Sequence, residues 1–520
     1  MPKNLPWFPL TVAFLVLVAV SLPFLYASQA GGEAYVFGGF LLNPLDGNSY
    51  LAKMYQGWEG NWRYQLAFSA EPGQGAYLFL FYLFLGHVAR LLNAPLLVVF
   101  HFARLLSAMI LLAVLWRFYA SLFPHTRIRR WAYALSALGS GIGWLLLPLN
   151  SFTADFWVAE TYPFLSTYAN PHFSLGLALV LWHLIPVERR YWLRSLTALF
   201  LGIINPFGVV IVAMVLGGMT GLRLLLGWLG KETPKVRSSL LALLAVLVGG
   251  LPVLLYDVWV TSAYPAFAAW NAQNLTPSPP WWDVFISLSP ALVLALLAVV
   301  LLTKESHQKE AKQALPAVTK QSWLLLAVWA GLGLILLFLP FSLQRRFMMG
   351  LYVPVAGLAV LGMDALFGAR RRPFHLGMIT VLAFSLLTNV IVVLTGLYGA
   401  RTHDPHVYLT AGEAQALTWI GKNTAEYALI VASPEMGMWV PAHTGRRVLY
   451  GHPFETVDAQ KEEQALITFF KRGGSDDFLT SRKADYLFYG PREQALGNLS
   501  LSGLQPVYIS GDVTVYRWGK

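Results

Sequence analysis

The feature that most constrains this sequence is a series of long apolar blocks almost free of charged residues. Four of them lie at 241–256, 291–302, 324–340 and 376–398. The last two, with 17 and 23 residues, fall in the range of about 17–25 residues that an α-helix needs to cross the hydrocarbon core of a bilayer. Only 12% of all residues are charged, against roughly 25% in soluble proteins. Because a helix satisfies its own backbone polar groups in lipid, the sequence predicts a polytopic α-helical membrane protein.

The net charge of +11 is distributed in the manner of a membrane protein. From Gly399 onward, 12 Lys and Arg residues stand against 13 Asp and Glu residues, so this part is nearly neutral. The other basic residues cluster between apolar blocks, which is the positive-inside pattern, and no nucleic-acid partner is expected. The sequence has no cysteine, which excludes disulfides and thiol chemistry but does not identify the compartment.

Basic clusters mark the predicted inner side of the membrane. They are Arg127/Arg129/Arg130, Arg189/Arg190/Arg194, Lys231/Lys235/Arg237, Lys304/Lys309/Lys312/Lys320 and Arg370/Arg371/Arg372. Eleven transmembrane helices are predicted, near 8–27, 96–120, 131–149, 172–187, 193–204, 207–229, 238–257, 284–303, 322–341, 347–367 and 374–398. This topology predicts a multi-pass protein of the cell membrane with a cytoplasmic N-terminus and an extracytoplasmic C-terminal domain. Residues 1–27 could be a signal peptide, but lacking a convincing cleavage site we interpret them as a retained helix.

The apolar segment 76–92 is the exception to this topology. It is apolar enough to span, but a crossing here would turn the Arg127 cluster outward. We therefore predict an amphipathic or half-buried helix at the outer surface.

The first outer loop, 28–75, is long for a loop without a domain, and such loops are usually functional or disordered. Its many aromatic residues argue against disorder. Asn43 or Asp46 can cap a helix on which Tyr50, Met54 and Trp58 share one face. For Asp46 a helix-capping role and a chemical role are both open.

The second outer loop, 150–171, holds Asp155 and Glu160 among aromatic residues, and His172 opens the next helix. A carboxylate at a membrane interface is partly desolvated, which raises its pKa and suits a general base. The alternative is an interfacial aromatic belt with solvated acids.

Basic residues at the predicted outer side form two further candidates. Arg345 and Arg346 follow the helix 322–341 and either anchor to lipid headgroups or clamp a phosphate, which guanidinium groups bind with two hydrogen bonds. His101 and Arg104 lie one turn apart near the outer start of the helix 96–120, where ionisable residues suggest function. The alternative for Arg104 is a structural ion pair with an acid of an outer loop.

Four sequence features together resemble a known family. An aspartate follows the first helix in NPLDGNSYLAKMYQGWEGNW, and Glu71-Pro72 precedes an apolar helix that ends in Gly86. A helix with an arginine near its start follows (HFARLLSAMILLAVLWRFY), and a second outer loop carries further acids. Over roughly residues 8–230 this resembles the GT-C superfamily of polyprenyl-phosphate-dependent glycosyltransferases, which includes protein O-mannosyltransferases, the lipid A aminoarabinose transferase and oligosaccharyltransferases.

The resemblance implies a fold, a reaction and roles for the candidate residues. Asp46 would be the general base or bind the acceptor, although many members have Asp-Glu where this chain has Asp46-Gly47. Glu160 and Asp155 would assist or bind a metal, and Arg345 and Arg346 would hold the lipid phosphate. Further candidate substrate-binding residues are Arg104, His101, His172, Tyr50 and Glu71.

The implied reaction is inverting transfer of a sugar from a polyprenyl-phosphate donor to an extracytoplasmic glycan, lipid or protein acceptor, in contact with membrane lipids. No nucleotide is needed, in agreement with the absence of a Rossmann fingerprint or P-loop. Use of a divalent metal differs between branches of the superfamily and stays open. Trp281-Trp282-Asp283 resembles the WWD motif of oligosaccharyltransferases, but it precedes a membrane helix here, and we interpret it as an interfacial aromatic anchor.

Residues 399–520 are predicted to form a small soluble α/β domain, separate from the membrane domain 1–398. Helices are expected at 413–422 and 458–471, strands at 427–432 and 485–489, and a hairpin of 506–510 with 513–518. Ser433, Glu435, His443 and His452 follow the first strand, where open α/β sheets bind ligands. Without a GxSxG nucleophile elbow, acceptor recognition or a lid is the predicted role.

Two other classes of function compete with the enzyme. A transporter or flippase for lipid-linked sugars should carry charges in mid-membrane and show broken helices or repeats, whereas here the acids lie in outer loops. A non-catalytic scaffold would not need an acidic, aromatic first loop. Both alternatives are less well supported than the transferase.

Overall fold

The computed structural model describes residues 7–186, 190–229, 236–307, 320–340, 342–500 and 503–519. Within these ranges, six helical stretches are long and apolar enough to cross a membrane, and one bent pair raises the number to seven. The six are Trp7–Ala30, Leu96–Leu122, Thr126–Leu149, Pro206–Trp228, Val236–Ala263 and Arg371–Arg401. The protein is therefore a polytopic helical membrane protein, as predicted, while the count of eleven crossings stays a prediction.

The described elements follow the predicted segments closely. The helices, in chain order, are α1 (Trp7–Ala19), α2 (Leu22–Ala30), α3 (Pro44–Glu59), α4 (Leu80–Leu92), α5 (Leu96–Leu122), α6 (Thr126–Leu138), α7 (Ala154–Trp157), α8 (Pro163–Tyr168), α9 (Pro171–Leu184), α10 (Tyr191–Ile204), α11 (Pro206–Trp228), α12 (Val236–Ala263), α13 (Pro265–Gln273), α14 (Trp281–Leu288), α15 (Ala291–His307), α16 (Lys320–Leu336), α17 (Tyr352–Phe367), α18 (Arg371–Arg401), α19 (Ala411–Asn423), α20 (Pro434–Gly437), α21 (Trp439–Thr444), α22 (Ala459–Lys471), α23 (Asp476–Ser481) and α24 (Pro491–Gln494). The strands are β1 (Tyr35–Phe37), β2 (Tyr408–Thr410), β3 (Leu429–Val431), β4 (Arg447–Val448), β5 (Tyr486–Tyr489), β6 (Gln505–Ser510) and β7 (Val513–Arg517).

The chain packs into two compact units. The first comprises Met1–Leu22, Ala103–Leu254 and Thr276–Thr395, and the second comprises Pro23–Phe102, Leu255–Leu275 and Gly396–Lys520. These are units of packing, each assembled from segments distant in sequence. The predicted division into a membrane domain 1–398 and an external domain 399–520 is a different kind of division and stays a prediction.

The predicted crossing 284–303 is broken in the structure. Helices α14 and α15 are bent by 88° where they meet. Pro290 lies at the bend, and the residue before a proline is disfavoured in the α conformation. Ser289 is accordingly extended, with ψ of 154°, and α14 ends at Leu288.

In the second unit, α4 occupies most of the segment 76–92. Its 13 residues give a length of about 20 Å, less than the roughly 30 Å of the hydrocarbon core. Its buried face packs on α3, and the two backbones approach each other at Gly57 and Gly86. A methyl group on Gly86 would lie 2.0 Å from the carbonyl oxygen of Met54, and one on Gly57 would lie 2.1 Å from that of Leu83.

We expect Gly86→Ala to lower the unfolding temperature measurably, because the added methyl overlaps backbone rather than a movable side chain and overpacking typically costs about 1–3 kcal/mol. Thermal unfolding of the purified protein measures the effect. Gly217→Ala is the matched control, since a methyl group there meets no atom within 4 Å. Equal unfolding temperatures for the two variants would contradict the close approach of α3 and α4.

The C-terminal segment forms a five-stranded sheet of order β4-β3-β5-β7-β6. Strand β3 runs parallel to β4 and β5, and β7 runs antiparallel to β5 and β6. Alternate residues of β3 face opposite sides: Ile430 packs in a core with Ala416 and Ile420 of α19, whereas Leu429 and Val431 pack with α22. The predicted small α/β segment is confirmed, with helices on both faces of its sheet.

The first outer loop is part of the same unit as this sheet, which the sequence did not predict. Strand β1 pairs antiparallel with β2, and Tyr35 lies opposite Thr410. Ala52 of α3 and Phe68 belong to the apolar core that contains Ile430. The loop is therefore ordered through its packing against residues from the end of the chain.

Some residues of the predicted basic clusters lie outside the described part of the chain. They are Arg189, Lys231, Lys235, Lys309 and Lys312.

Candidate active site

Asp46 lies in the first turn of α3, where the local sequence places a helix start. Asn43 is the N-cap and its side-chain oxygen accepts a hydrogen bond from the backbone N–H of Asp46, while Pro44 occupies a first-turn position that proline favours. The capping role is thus filled by Asn43. The Asp46 carboxylate is left for other contacts, and 37% of its side chain is exposed.

Two side chains orient the Asp46 carboxylate. Its Oδ2 accepts a hydrogen bond from Nδ2 of Asn43 at 2.5 Å, and its Oδ1 lies 3.2 Å from Nε2 of His452. The other ring nitrogen of His452, Nδ1, lies 3.1 and 3.2 Å from the backbone nitrogens of Phe454 and Glu455. Because backbone N–H groups only donate, Nδ1 is the acceptor, the proton is on Nε2, and His452 donates it to Asp46.

Two turns further along α3, Lys53 is completely buried and paired. Its Nζ lies 2.9 Å from Oε1 of Glu455 and 2.5 Å from Oγ of Ser49. The ring of Phe79 lies 4.4 Å from the same nitrogen, and Tyr64 donates its hydroxyl proton to Oε2 of Glu455 at 3.1 Å. Burial alone would raise the pKa of Glu455, but the charge of Lys53 and the hydrogen bonds from Lys53 and Tyr64 lower it, so the pair is ionised.

The loop after β4 therefore supplies the partners of two α3 residues, namely His452 for Asp46 and Glu455 for Lys53. His452 and Glu455 stand in the sequence GHPFET and bind residues two turns apart on one helix face. Glu59, at the end of α3, forms a third contact with Arg446 at 3.2 Å. Burial raises the pKa of Glu59 to about 7, although the charge and hydrogen bond of Arg446 oppose this. The C-terminal segment thus positions the helix that carries Asp46.

In the first unit, Asp155 is completely buried and heavily hydrogen-bonded. It accepts hydrogen bonds from the backbone N–H of Gly143 at 3.0 Å and from the hydroxyls of Thr153 and Thr388 at 2.6 and 2.8 Å, and its Oδ1 lies 3.2 Å from Oγ of Ser287. Burial raises its pKa, as the sequence predicted, while the hydrogen bonds from Thr153, Thr388 and Gly143 oppose the change. A carboxylate with three protein donors and no exposure holds segments together. Its predicted catalytic role therefore stays a prediction that these contacts do not support.

The second predicted acid, Glu160, meets the predicted arginine pair. Its Oε1 lies 3.1 Å from Nη1 of Arg346. The guanidinium of Arg345 lies 4.8 Å from the ring centre of Trp157, a cation–π contact. Glu160 is 7% exposed, so the alternative of solvated acids in the second loop is wrong. Arg346 keeps 37% of its side chain exposed, and an anion can reach it.

Comparison of the sequence with protein-family models finds no match, and comparison with curated proteins finds no significant one. Solved structures do match. The oligosaccharyltransferase AglB from Archaeoglobus fulgidus, in complex with an inhibitory peptide and a dolichol-phosphate, has a TM-score of 0.52 at 12% identity, covering 93% of this chain and 69% of its own. A structure of an oligosaccharyltransferase from the same organism, in complex with Zn and sulfate, has a TM-score of 0.52 at 13% identity, covering 92% of this chain and 67% of its own.

The chain has the GT-C fold. The aminoarabinose transferase ArnT from Cupriavidus metallidurans, in its apo state, is similar over 98% of both chains at 13% identity, with a TM-score of 0.46.

Within this GT-C fold, several predicted binding residues have contacts of a structural kind. Arg104 is 2% exposed and donates to the carbonyl oxygens of Val20 and Thr167, both at 3.1 Å. His101 packs edge-on against Phe24, with ring centres 5.0 Å apart. These contacts hold helix ends and loops in place, and the substrate-binding role of either residue stays a prediction.

The contacts that the structure shows for the other predicted binding residues are ring contacts and a loop hydrogen bond. Tyr50 stacks on Tyr82 at 4.3 Å, and the ring of His172 lies 4.1 Å from that of Phe173. Glu71 is exposed and its backbone N–H binds Oγ of Ser69. Their roles also stay predictions.

Three residues of the predicted ligand-binding loops are in structural positions. Ser433 caps α20. His443 is buried in α21, where burial lowers its pKa to about 4. The Glu435 carboxylate lies 3.7 Å from Arg492. The fourth residue of this group, His452, contacts the predicted catalytic residue Asp46.

Asp283 was interpreted as part of an aromatic anchor and is instead part of the Asp155 network. Trp281 and Trp282 are exposed, whereas Asp283 is 6% exposed. It accepts hydrogen bonds from the backbone N–H of Ala154 at 2.9 Å and from Ser287 at 2.7 Å. A single acid after two tryptophans carries no signal in sequence that distinguishes an interfacial side chain from a buried one.

A divalent metal does not fit the acids in this part of the chain. Among the described residues, no group of three or more His, Asp or Glu side chains is placed to hold a metal ion. The oxygens of Asp155 are occupied by protein donors.

Proposed function

We propose that this protein transfers a sugar, with inversion, from a polyprenyl-phosphate donor to an acceptor at the extracytoplasmic face of the cell membrane. The single observation that carries the proposal is the Asp46 carboxylate, which is freed from helix capping, partly exposed and oriented by Asn43 and His452. The GT-C fold, shared with an oligosaccharyltransferase whose structure contains dolichol-phosphate, supports the choice of donor.

The donor phosphate would be bound by Arg345 and Arg346. Guanidinium groups match phosphate geometry and remain charged, and a fixed positive charge also stabilises phosphate as the leaving group. The ion pair with Glu160 and the stacking on Trp157 limit the rotamers of both arginines. Less side-chain entropy is then lost when a phosphate binds.

The acceptor would be activated or held by Asp46. An acceptor hydroxyl or amide attacks the anomeric carbon, the bond from that carbon to the phosphate oxygen breaks, and the phosphate departs with the electron pair. Asp46 takes the acceptor proton, or it holds the acceptor by a hydrogen bond while the departing phosphate takes the proton. His452 donates to Oδ1 and fixes the carboxylate plane, which makes it a positioning residue rather than a catalytic one.

Mass spectrometry of cell-surface glycans, lipids and glycoproteins after deletion of the gene tests the proposal. We expect one sugar modification to disappear and to return when the gene is restored. Purified protein incubated with synthetic polyprenyl-phosphate sugars and a membrane extract should release free polyprenyl phosphate. Unchanged surface sugars together with no release from any donor would refute the proposal.

Replacing both Arg345 and Arg346 with Ala is expected to weaken binding of polyprenyl phosphate by about tenfold or more, since hydrogen bonds to charged groups contribute about 1.5–3 kcal/mol each. Titration of purified protein with a short-chain polyprenyl phosphate measures the affinity. The control is Arg370→Ala with Arg372→Ala, which removes two exposed arginines outside the proposed donor site. Unchanged affinity in the first variant would remove the arginine pair from the donor site.

A further inference from the structure

A cavity of about 1100 Å³ lies within the first unit, and its lining includes none of the residues of the proposed donor and acceptor sites. Its walls come from α1, α6, the end of α17 and the start of α18. Pockets for small ligands usually measure about 300–1,000 Å³, so the space is large enough for a lipid headgroup with part of its chain. Two of the basic clusters noted in the sequence contribute to its lining.

The described lining residues carry an excess of positive charge. Arg127, Arg130 and Arg371 line the cavity, and Asp364 is the one carboxylate among them. Asp364 is already bound to Arg127 at 2.6 Å, and the Arg127 guanidinium also donates to the carbonyl oxygen of Gly368. Arg130 and Arg371 are exposed, so two positive charges remain without a compensating acid among the lining residues.

Nearby groups add to this preference for an anion. The Trp131 ring nitrogen donates to Nδ1 of His375 at 3.1 Å, so the neutral ring carries its proton on Nε2 as a further donor. Helices α6 and α18 both begin at the cavity, with no acidic residue in the first turn of either. Basic side chains at the start of a helix are repelled by the positive end of the helix dipole. A bound anion would reduce this repulsion.

The cavity changes from charged to apolar along its length. On α6 it extends from Arg127 to Leu138, and on α18 from Arg371 to Leu382. Each stretch covers eleven helical steps, about 16 Å at 1.5 Å per residue. Phe8 and Val12 of α1 also line it. The shape and charge fit an amphiphile whose anionic head lies at the arginines and whose chain follows the helices.

We propose that this cavity binds an anionic phospholipid, with the phosphate at Arg130 and Arg371 and an acyl chain against Leu138 and Leu382. Basic pockets between transmembrane helices are known to take anionic headgroups. The lipid site does not depend on the proposed function and uses none of its residues.

Native mass spectrometry of the full-length protein, titrated with phosphatidylglycerol or phosphatidylcholine, tests the site. We expect at least tenfold tighter binding of phosphatidylglycerol, and loss of that preference in the double variant Arg130→Gln, Arg371→Gln. The matched control is Arg129→Gln, Arg372→Gln, which removes equal charge from the same two helices at positions that do not line the cavity. An equal loss of the preference for phosphatidylglycerol in both double variants would show only a general attraction of positive charge for anionic lipid. That result would overturn the proposal.

Two further ligands separate the possible sources of the phosphate. Glycerol phosphate, which has no acyl chain, should bind at least tenfold more weakly than phosphatidylglycerol. Equal affinity would show that the apolar wall has no role and would overturn the proposal. Tighter binding of polyprenyl phosphate than of phosphatidylglycerol, lost in the Arg130/Arg371 variant, would assign the cavity to a different lipid and would also overturn it.

Discussion

Replacing Asp46 with Asn is expected to reduce sugar transfer by about 10²–10⁴-fold, the usual contribution of a general base. Asparagine keeps the shape and one acceptor oxygen, but it is neutral and cannot take a proton at neutral pH. Release of polyprenyl phosphate by purified protein measures the rate. The amount of protein in the membrane and its unfolding temperature should change little, because Asn43, not Asp46, caps the helix.

The matched control is Asp476→Asn, which removes an aspartate from the first turn of another helix, α23. An aspartate in the first turn stabilises a helix through the helix dipole, typically by about 0.3–1 kcal/mol. The control variant loses this stabilisation but keeps Asp46. Full activity in both variants would exclude Asp46 as the base while leaving a role in acceptor binding to be read from KM. An equal loss of sugar transfer in both variants would indicate that the Asp46 variant is less stable, not that it lacks the general base.

Replacing Lys53 with Met is expected to lower the free energy of unfolding by about 3–5 kcal/mol, because removal of one partner leaves the Glu455 carboxylate buried without its countercharge. Chemical denaturation of the purified protein, followed by tryptophan fluorescence, measures the loss. Lys461→Met on α22 is the control, since that lysine is exposed and surface substitutions usually change stability by less than 0.5 kcal/mol.

The double variant Lys53→Met, Glu455→Gln separates an ion pair from simple packing. Removing both charges should restore much of the lost stability, because replacing a buried pair as a whole is often close to neutral. A double variant that loses as much as the two single variants combined would contradict the pairing of Lys53 with Glu455.

Local patterns predicted the secondary structure of the C-terminal segment well. The expected helix 458–471 is α22 (Ala459–Lys471), and the expected hairpin is β6 with β7. Both are encoded within short windows, by helical periodicity and by the Gly511-Asp512 turn. The apolar blocks likewise predicted the membrane helices, because composition over about 20 residues is enough to indicate a span.

Contacts between distant parts of the chain were not predicted. Asp46 and His452 are 406 residues apart, and no local pattern connects them. The same holds for Asp155, whose neighbours Ser287 and Thr388 follow it by 132 and 233 residues. An acid among aromatic residues has the same sequence signature whether it meets substrate or several protein donors. Only the fold distinguishes the two.

The packing of the first outer loop against the C-terminal segment affects how the protein folds during translation. Ribosomes add about 5–20 residues per second, so roughly 20–80 s pass between the emergence of Asp46 and that of its histidine partner. Throughout that time β1 lacks β2, and Ala52 and Phe68 lack the sheet that buries them. A nascent chain of this protein therefore exposes these apolar side chains until translation is almost complete, and we expect a chaperone or the insertion machinery to cover them.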